Sequence, residues 1–199
     1  LFLFDRILNS KNEYEIYNND KVTKEIIFPV PFALGEVKAN ISINTISNLS
    51  TEQIINQAIK FHSQGNISEA TKYYQYCINK GLNDPRVFSN YGLILRNQGK
   101  LQEAEISIKK AIEIKYDSPN SHSNLGNILK ELGKLNEAEI SIRNAIELQP
   151  DFAGGYFNLG LILKDLGKLD EAELSQRKAI ELKPDFAEAH TNLGIILKD

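Results

Sequence analysis

The sequence predicts an all-α, right-handed solenoid of stacked helix–turn–helix units, and three observations predict it. The chain repeats itself with a period of 34 residues. Within each period the apolar residues fall at helical spacing on two successive segments. Glycine and proline punctuate the joints between those segments. A period of this size marks an architecture in which one small unit is stacked on the next.

The period is plainest in "NLGNILKELGKLNEAEISIRNAIELQPDF", Asn124 to Phe152, which returns as "NLGLILKDLGKLDEAELSQRKAIELKPDF", Asn158 to Phe186. Blocks fall at 51–84, 85–118, 119–152 and 153–186, and a fifth runs over 187–199. The third and fourth blocks are identical at 22 of 34 positions. In 119–152, His122, Leu125, Gly126 and Leu129 follow i, i+3, i+4, i+7 and form one face of a first helix. Gly133 stops that helix. Leu135, Ala138, Ile142, Ala145 and Ile146 define the second helix, which ends before Pro150. Asp84-Pro85 and Ser118-Pro119 each pair an N-cap residue with a proline suited to the first helical position.

Small residues recur in register. Position 8 of the blocks holds Ala58, Gly92, Gly126, Gly160 and Gly194. Position 20 holds Ala70, Ala104, Ala138 and Ala172, and position 27 holds Cys77, Ala111, Ala145 and Ala179. An interior glycine costs a helix about 1 kcal/mol. That cost is explained if two helix backbones approach closely there.

The unit resembles the tetratricopeptide repeat: 34 residues, small side chains at positions 8, 20 and 27, and proline near 32, matched by Pro150 and Pro184 but not by Leu82 or Tyr116. The large aromatic usual at position 4 varies here, as Ile54, Phe88, His122, Tyr156 and His190. The resemblance covers 51–199, about three quarters of the chain. Residues 1–50 lack the period. They read as a partly extended or disordered lead-in, with a weak strand signal at Val37, Ala39, Ile41 and Ile43. The chain opens on leucine and holds no methionine, so it reads as a piece of a longer protein.

Composition narrows the partners. The net charge is -3 and the sequence is 42% hydrophobic, which gives no basic surplus for a nucleic-acid backbone. No apolar run reaches the roughly 18 to 20 residues of a membrane span. A lone cysteine, Cys77, fits a reducing compartment, the cytoplasm. It replaces an alanine of the repeat and is expected to pack rather than react. Gly99-Lys100, Gly133-Lys134 and Gly167-Lys168 lack the strand and the following Ser or Thr of a phosphate loop, and read as inter-helix turns. His122 and His190 stand at position 4 and read as packing residues. The sequons at Asn40, Asn48 and Asn66 read as accidents of an asparagine-rich chain. No catalytic set, metal spacing or cofactor motif stands out, so the sequence implies no enzyme activity and no cofactor.

One ladder is not explained by packing. Position 6 is asparagine in all five blocks: Asn56, Asn90, Asn124, Asn158 and Asn192. It points about 100° away from the buried position 7. With positions 2, 5, 9, 12 and 13 it makes a second stripe on the first helix. Position 12 adds His62, Arg96, Lys130, Lys164 and Lys198, position 13 adds Glu131, Asp165 and Asp199, and Asn127 stands at position 9. The resemblance implies that this stripe lines the concave groove of the superhelix. An asparagine offers two donors and an acceptor and can pair with a peptide backbone. The ladder resembles the groove of the repeat arm of O-linked N-acetylglucosamine transferase. Co-chaperones of the family hold a carboxylate with a lysine at position 5; here that position is Ile55, Ser89, Ser123, Phe157 and Thr191, so a carboxylate clamp is not expected.

Two functions follow. One is a protein-interaction scaffold that holds an extended polypeptide against Asn90, Asn124, Asn158, Asn192, Asn127 and the position-12 bases. The other is the substrate-presenting arm of a larger enzyme. Bacterial arrays that look like this one are often joined to glycosyltransferase, sulfotransferase or oxygenase domains. The sequence leaves the oligomeric state open.

Overall fold

In the computed structural model, residues 49–198 are described. They hold α1 (Thr51–Ser63), α2 (Ile67–Asn79), α3 (Pro85–Asn97), α4 (Leu101–Ile114), α5 (Pro119–Glu131), α6 (Leu135–Leu148), α7 (Ala153–Asp165), α8 (Leu169–Leu182) and α9 (Ala187–Ile196). Odd-numbered helices are the first helices of the repeats and even-numbered ones the second. The expectation for residues 1–50 falls, but for its last two residues, outside the described residues. Ser50 caps α1, in a capping box with Gln53.

Local chemistry sets the helix ends. Asp84 and Ser118 accept hydrogen bonds from Arg86 N and Ser121 N and cap α3 and α5, each with proline in the first turn. Asn66, the sequon asparagine, caps α2 by accepting from Glu69 N. The α4, α6 and α8 N-termini follow Lys100, Lys134 and Lys168, which give no side-chain cap. Acids in the first turn, Glu103, Glu137 and Asp170, supply negative charge there instead. The Gly-Lys turns are stops and not phosphate loops: Gly99, Gly133 and Gly167 take φ of 75°, 74° and 76°, a left-handed conformation that favours glycine.

Each first helix packs on its second helix and then on the second helix of the repeat before it. The alanines of positions 20 and 27, and Cys77, are fully buried in these contacts. Burial pushes the Cys77 thiol up to about 11, so it is a packing group. The glycines of position 8 make room differently from the sequence expectation. A Cβ on Gly92 would lie 2.7 Å from Ile108 Cδ1, and one on Gly126 would lie 2.5 Å from Ile142 Cδ1. The nearest backbone atoms, Ala104 O and Ala138 O, are farther off at 3.4 and 3.2 Å. What enters each notch is the position-24 side chain, Ile108, Ile142 or Gln176; in the first repeat Ala58 and Tyr74, at the same two positions, are both fully buried. Nothing stands within 4 Å above Gly194, where no second helix follows α9 among the described residues.

His122 is buried, its Nε2 2.8 Å from the carbonyl of Tyr116, in line with a packing role. His190 makes the equivalent contact to Pro184 O at 2.9 Å but remains exposed, because no second helix covers α9.

First helices of successive repeats also touch one another: α1 with α3, α3 with α5, α5 with α7, and α7 with α9. The second helices form no matching continuous layer. Contact between successive first helices, without its equivalent among the second helices, makes the first-helix side the tighter, inner side of the stack.

Candidate functional site

The inner surface is built from the face of each first helix left over once positions 4, 7, 8 and 11 are committed to the core. Leu95, Leu129 and Leu163, all at position 11, are 2%, 1% and 1% exposed. About 100° around the helix from the buried position 7 lie the asparagines. Asn90, Asn124, Asn158 and Asn192 are half-buried in the inner layer, and Asn56 is exposed. Asn158 Nδ2 donates to Ser123 Oγ of the preceding repeat at 3.2 Å. The half-buried amides of Asn90 and Asn124 have no such partner among the described residues. Asn127 lies half-buried on the same face.

The position-12 bases are in a different state from that of a free basic strip. Arg96 is paired with Glu131, and Lys130 with Asp165 at 3.1 Å. Each of these two bases thus meets the acid at position 13 of the next repeat, a partner 35 residues on. Lys164 is half-buried and Lys198 exposed. These pairs neutralise the inner surface where they stand and tie successive first helices in register.

Sequence reasoning missed the apolar column beside the asparagines. Position 9 holds Ile59, Leu93, Leu161 and Ile195, interrupted only by Asn127. Ile59, Leu93 and Leu161 are half-buried and Ile195 is 42% exposed. The signal was in the sequence, since position 9 stands three residues after position 6 and shares its face. A depression of about 310 Å³ opens between α1 and α3, lined by Ile59, His62, Ser63 and Asn90. It joins one residue of the apolar column to one asparagine of the ladder. Burial pushes the His62 imidazole below its ordinary range, which favours the neutral ring in this depression.

A second set of inter-repeat contacts was also missed. Lys134 reaches back to Glu105 at 2.8 Å, and Lys168 reaches back to Glu139 at 2.9 Å. Each glutamate is gripped a second time within its own helix, by Lys109 or Arg143. Arg143 continues forward to Glu171 at 2.9 Å. Burial raises the Glu105 carboxyl, but the hydrogen bonds from Lys109 and Lys134 outweigh that and hold it below the usual range. The Lys168 hydrogen bond does most to lower Glu139. So the glutamates of "QEAE" and "NEAE" divide the work. Glu103 and Glu137 stand in the first turns, whereas Glu105 and Glu139 lock one repeat to the next. A depression of about 240 Å³ lies beside the Arg143–Glu171 pair, with Tyr156, Leu159, Leu163 and Leu174 on its walls. Ile106, Ile140 and Leu174, at position 22 of the second helices, are exposed outside the core.

Among the described residues no group of three or more His, Cys, Asp or Glu is placed to hold a metal ion, and no helix is long and apolar enough to cross a membrane.

The fold and its inner surface define a class: an all-α solenoid of stacked helical hairpins. Models of the tetratricopeptide repeat match residues 85–118 and 153–186, and a further TPR repeat model matches 126–167. The chain belongs to the tetratricopeptide repeat family. Among solved structures it is similar to a MamA segment from Desulfovibrio magneticus, at 22% identity and a TM-score of 0.66, over 73% of this chain and 82% of that one. YrrB, described as a TPR protein with an unusual peptide-binding site, matches at 23% identity and a TM-score of 0.64, over 73% of this chain and 75% of that one. The first TPR of Spaghetti, bound to the HSP90 peptide SRMEEVD, matches at 26% identity and a TM-score of 0.57, over 58% of this chain and 91% of that one. No curated protein matches the sequence.

Proposed function

We propose that the inner surface holds an extended polypeptide and that the chain works as a protein-interaction scaffold. One observation carries this reading: asparagine recurs at position 6 in all five blocks, on the inner face, where Asn90 and Asn124 keep half-buried amides with no side-chain hydrogen bond among the described residues. An amide offers a donor and an acceptor to a peptide group, so the grip falls on backbone rather than on one side chain. The peptide bound by the Spaghetti domain supports the general mode. The charges separate the two cases: SRMEEVD is rich in carboxylates, whereas here Arg96 and Lys130 are already paired with Glu131 and Asp165.

The same reading treats residues 1–50 as a lead-in to the array at 51–199. It treats the module as non-catalytic and working in the cytoplasm, where the lone Cys77 stays a thiol. A net charge of -3 favours protein over nucleic acid as the partner.

The test is the triple variant N90A/N124A/N158A of the full chain, compared with the parent on an array of unstructured peptides. Each lost hydrogen-bond pair is worth about 0.5–1.5 kcal/mol, so binding is expected to weaken about tenfold or more. The urea midpoint should stay close to that of the parent. Unchanged binding by a folded variant rejects the groove.

A further inference from the structure

The inner face carries two columns side by side, and together they specify a periodic ligand. We propose that the partner is a near-neutral extended segment with a large apolar side chain at every third residue, the middle one of five replaced by a polar residue. This deepens the reading above and rests on it.

The apolar column supplies the period. Ile59, Leu93, Asn127, Leu161 and Ile195 occupy position 9 of five successive first helices. Helices in contact lie about 8–10 Å apart, and a chain extended as polyproline II, whose side chains return to the same side every third residue, advances about 3.1 Å per residue. A polypeptide crossing the first helices therefore moves about three residues per repeat. A side chain that meets Ile59 is followed by one meeting Leu93 about three residues on, and so along the stack. At the third step the floor is Asn127, whose amide rejects an unpaired apolar group and favours a polar one.

Three further features fix the chemistry of the occupant. The depression between α1 and α3, about 310 Å³, has Ile59 and Asn90 in its lining, so an apolar side chain seats there beside a backbone-binding amide. Two of the position-12 cations that would attract carboxylates are neutralised within the stack, Arg96 by Glu131 and Lys130 by Asp165. A charged side chain over these pairs gains little and loses water. The column is also symmetric about Asn127, with two aliphatic residues on each side. It sets the spacing of the ligand without setting its direction.

The experiment uses the full chain and two fluorescein-labelled peptides of identical composition, otherwise serine and asparagine. One carries leucine at residues n, n+3, n+9 and n+12 with asparagine at n+6. The other carries its leucines at n, n+2, n+8 and n+10. The in-register peptide is expected to bind at least about tenfold more tightly by fluorescence anisotropy. Asn127→Leu should then favour, by about fivefold or more, a third peptide with leucine also at n+6. A thermal melt of that variant checks that it is folded, and Leu161→Asn, which moves the polar step by one repeat, gives an independent shift of preference. Equal affinity for the two isomers, lost in N90A/N124A/N158A, overturns the periodic ligand while the backbone grip survives. Binding of neither isomer overturns both.

Discussion

The third and fourth repeats agree at 22 of 34 positions, yet their interiors differ at the residue that fills the helix–helix notch. In the third, Ile142 lies over Gly126 and is fully buried. In the fourth, Gln176 lies over Gly160 and is equally buried. Its Nε2 donates to the carbonyl of Phe157 at 3.1 Å, but its Oε1 has no partner among the described residues. The same backbone notch therefore accepts a branched aliphatic group or an amide of similar reach. What differs is polar satisfaction. A buried acceptor left unpaired costs about 1–3 kcal/mol, whereas the isoleucine carries no such debt. The fifth block shows the notch without any filler, since nothing stands within 4 Å of the Cβ direction at Gly194.

The largest effect that would test this comparison is Ile142→Ala. Removing a fully buried isoleucine should cost about 2–5 kcal/mol in urea-induced unfolding. Gln176→Ala should cost clearly less, and equal losses would mean that the amide packs as well as the aliphatic chain. Next comes the notch itself. Gly126→Ala places a methyl group 2.5 Å from Ile142 Cδ1 and should destabilise by about 1–3 kcal/mol. Gly194→Ala meets open space and should be neutral or stabilise by up to about 1 kcal/mol, through helix propensity alone. A thermal melt of the two variants separates space from propensity.

Gln176→Ile should make the fourth repeat behave like the third and raise stability by about 1 kcal/mol, by deleting the orphaned Oε1. A drop in the urea midpoint would show that the Phe157 carbonyl needs the amide. The smallest effect belongs to the ionic locks between repeats. Glu105 and Glu139 have lowered pKa values in the folded chain, so their contribution is present above the ordinary carboxylate range. It should fade as pH falls below about 4.3 and through the lower native values. Glu139→Gln should flatten that part of the pH–stability curve and shift stability near pH 7 by a few tenths to about 1 kcal/mol, within the range of exposed pairs. An unaltered acid limb would remove the lock from the account.

Much of the fold was legible because it is written locally. Pro85 and Pro119 with their capping residues, the left-handed glycines after each first helix, and the 3.6-residue apolar spacing are properties of segments shorter than one repeat. The asparagine ladder was legible for the same reason, as one helix face read five times. The position-9 column was equally present in the sequence but lay hidden in a half-buried class that apolar periodicity assigns to the core. The position-12 bases were read as groove cations because sequence spacing alone does not reveal a partner 35 residues away.

By itself, then, the sequence determined an all-α stack of helical hairpins, the ends of its helices, and the face on which asparagine recurs. These follow from hydrogen bonds and side-chain periodicity within some thirty residues of chain. Only the tertiary structure decided that the glycine notch receives Ile108, Ile142 and Gln176 rather than a bare backbone. It also paired Arg96 and Lys130 with the next repeat's acids, and Glu105 and Glu139 with the next repeat's lysines. Those outcomes depend on the angle and distance between packed helices, which no single helix encodes.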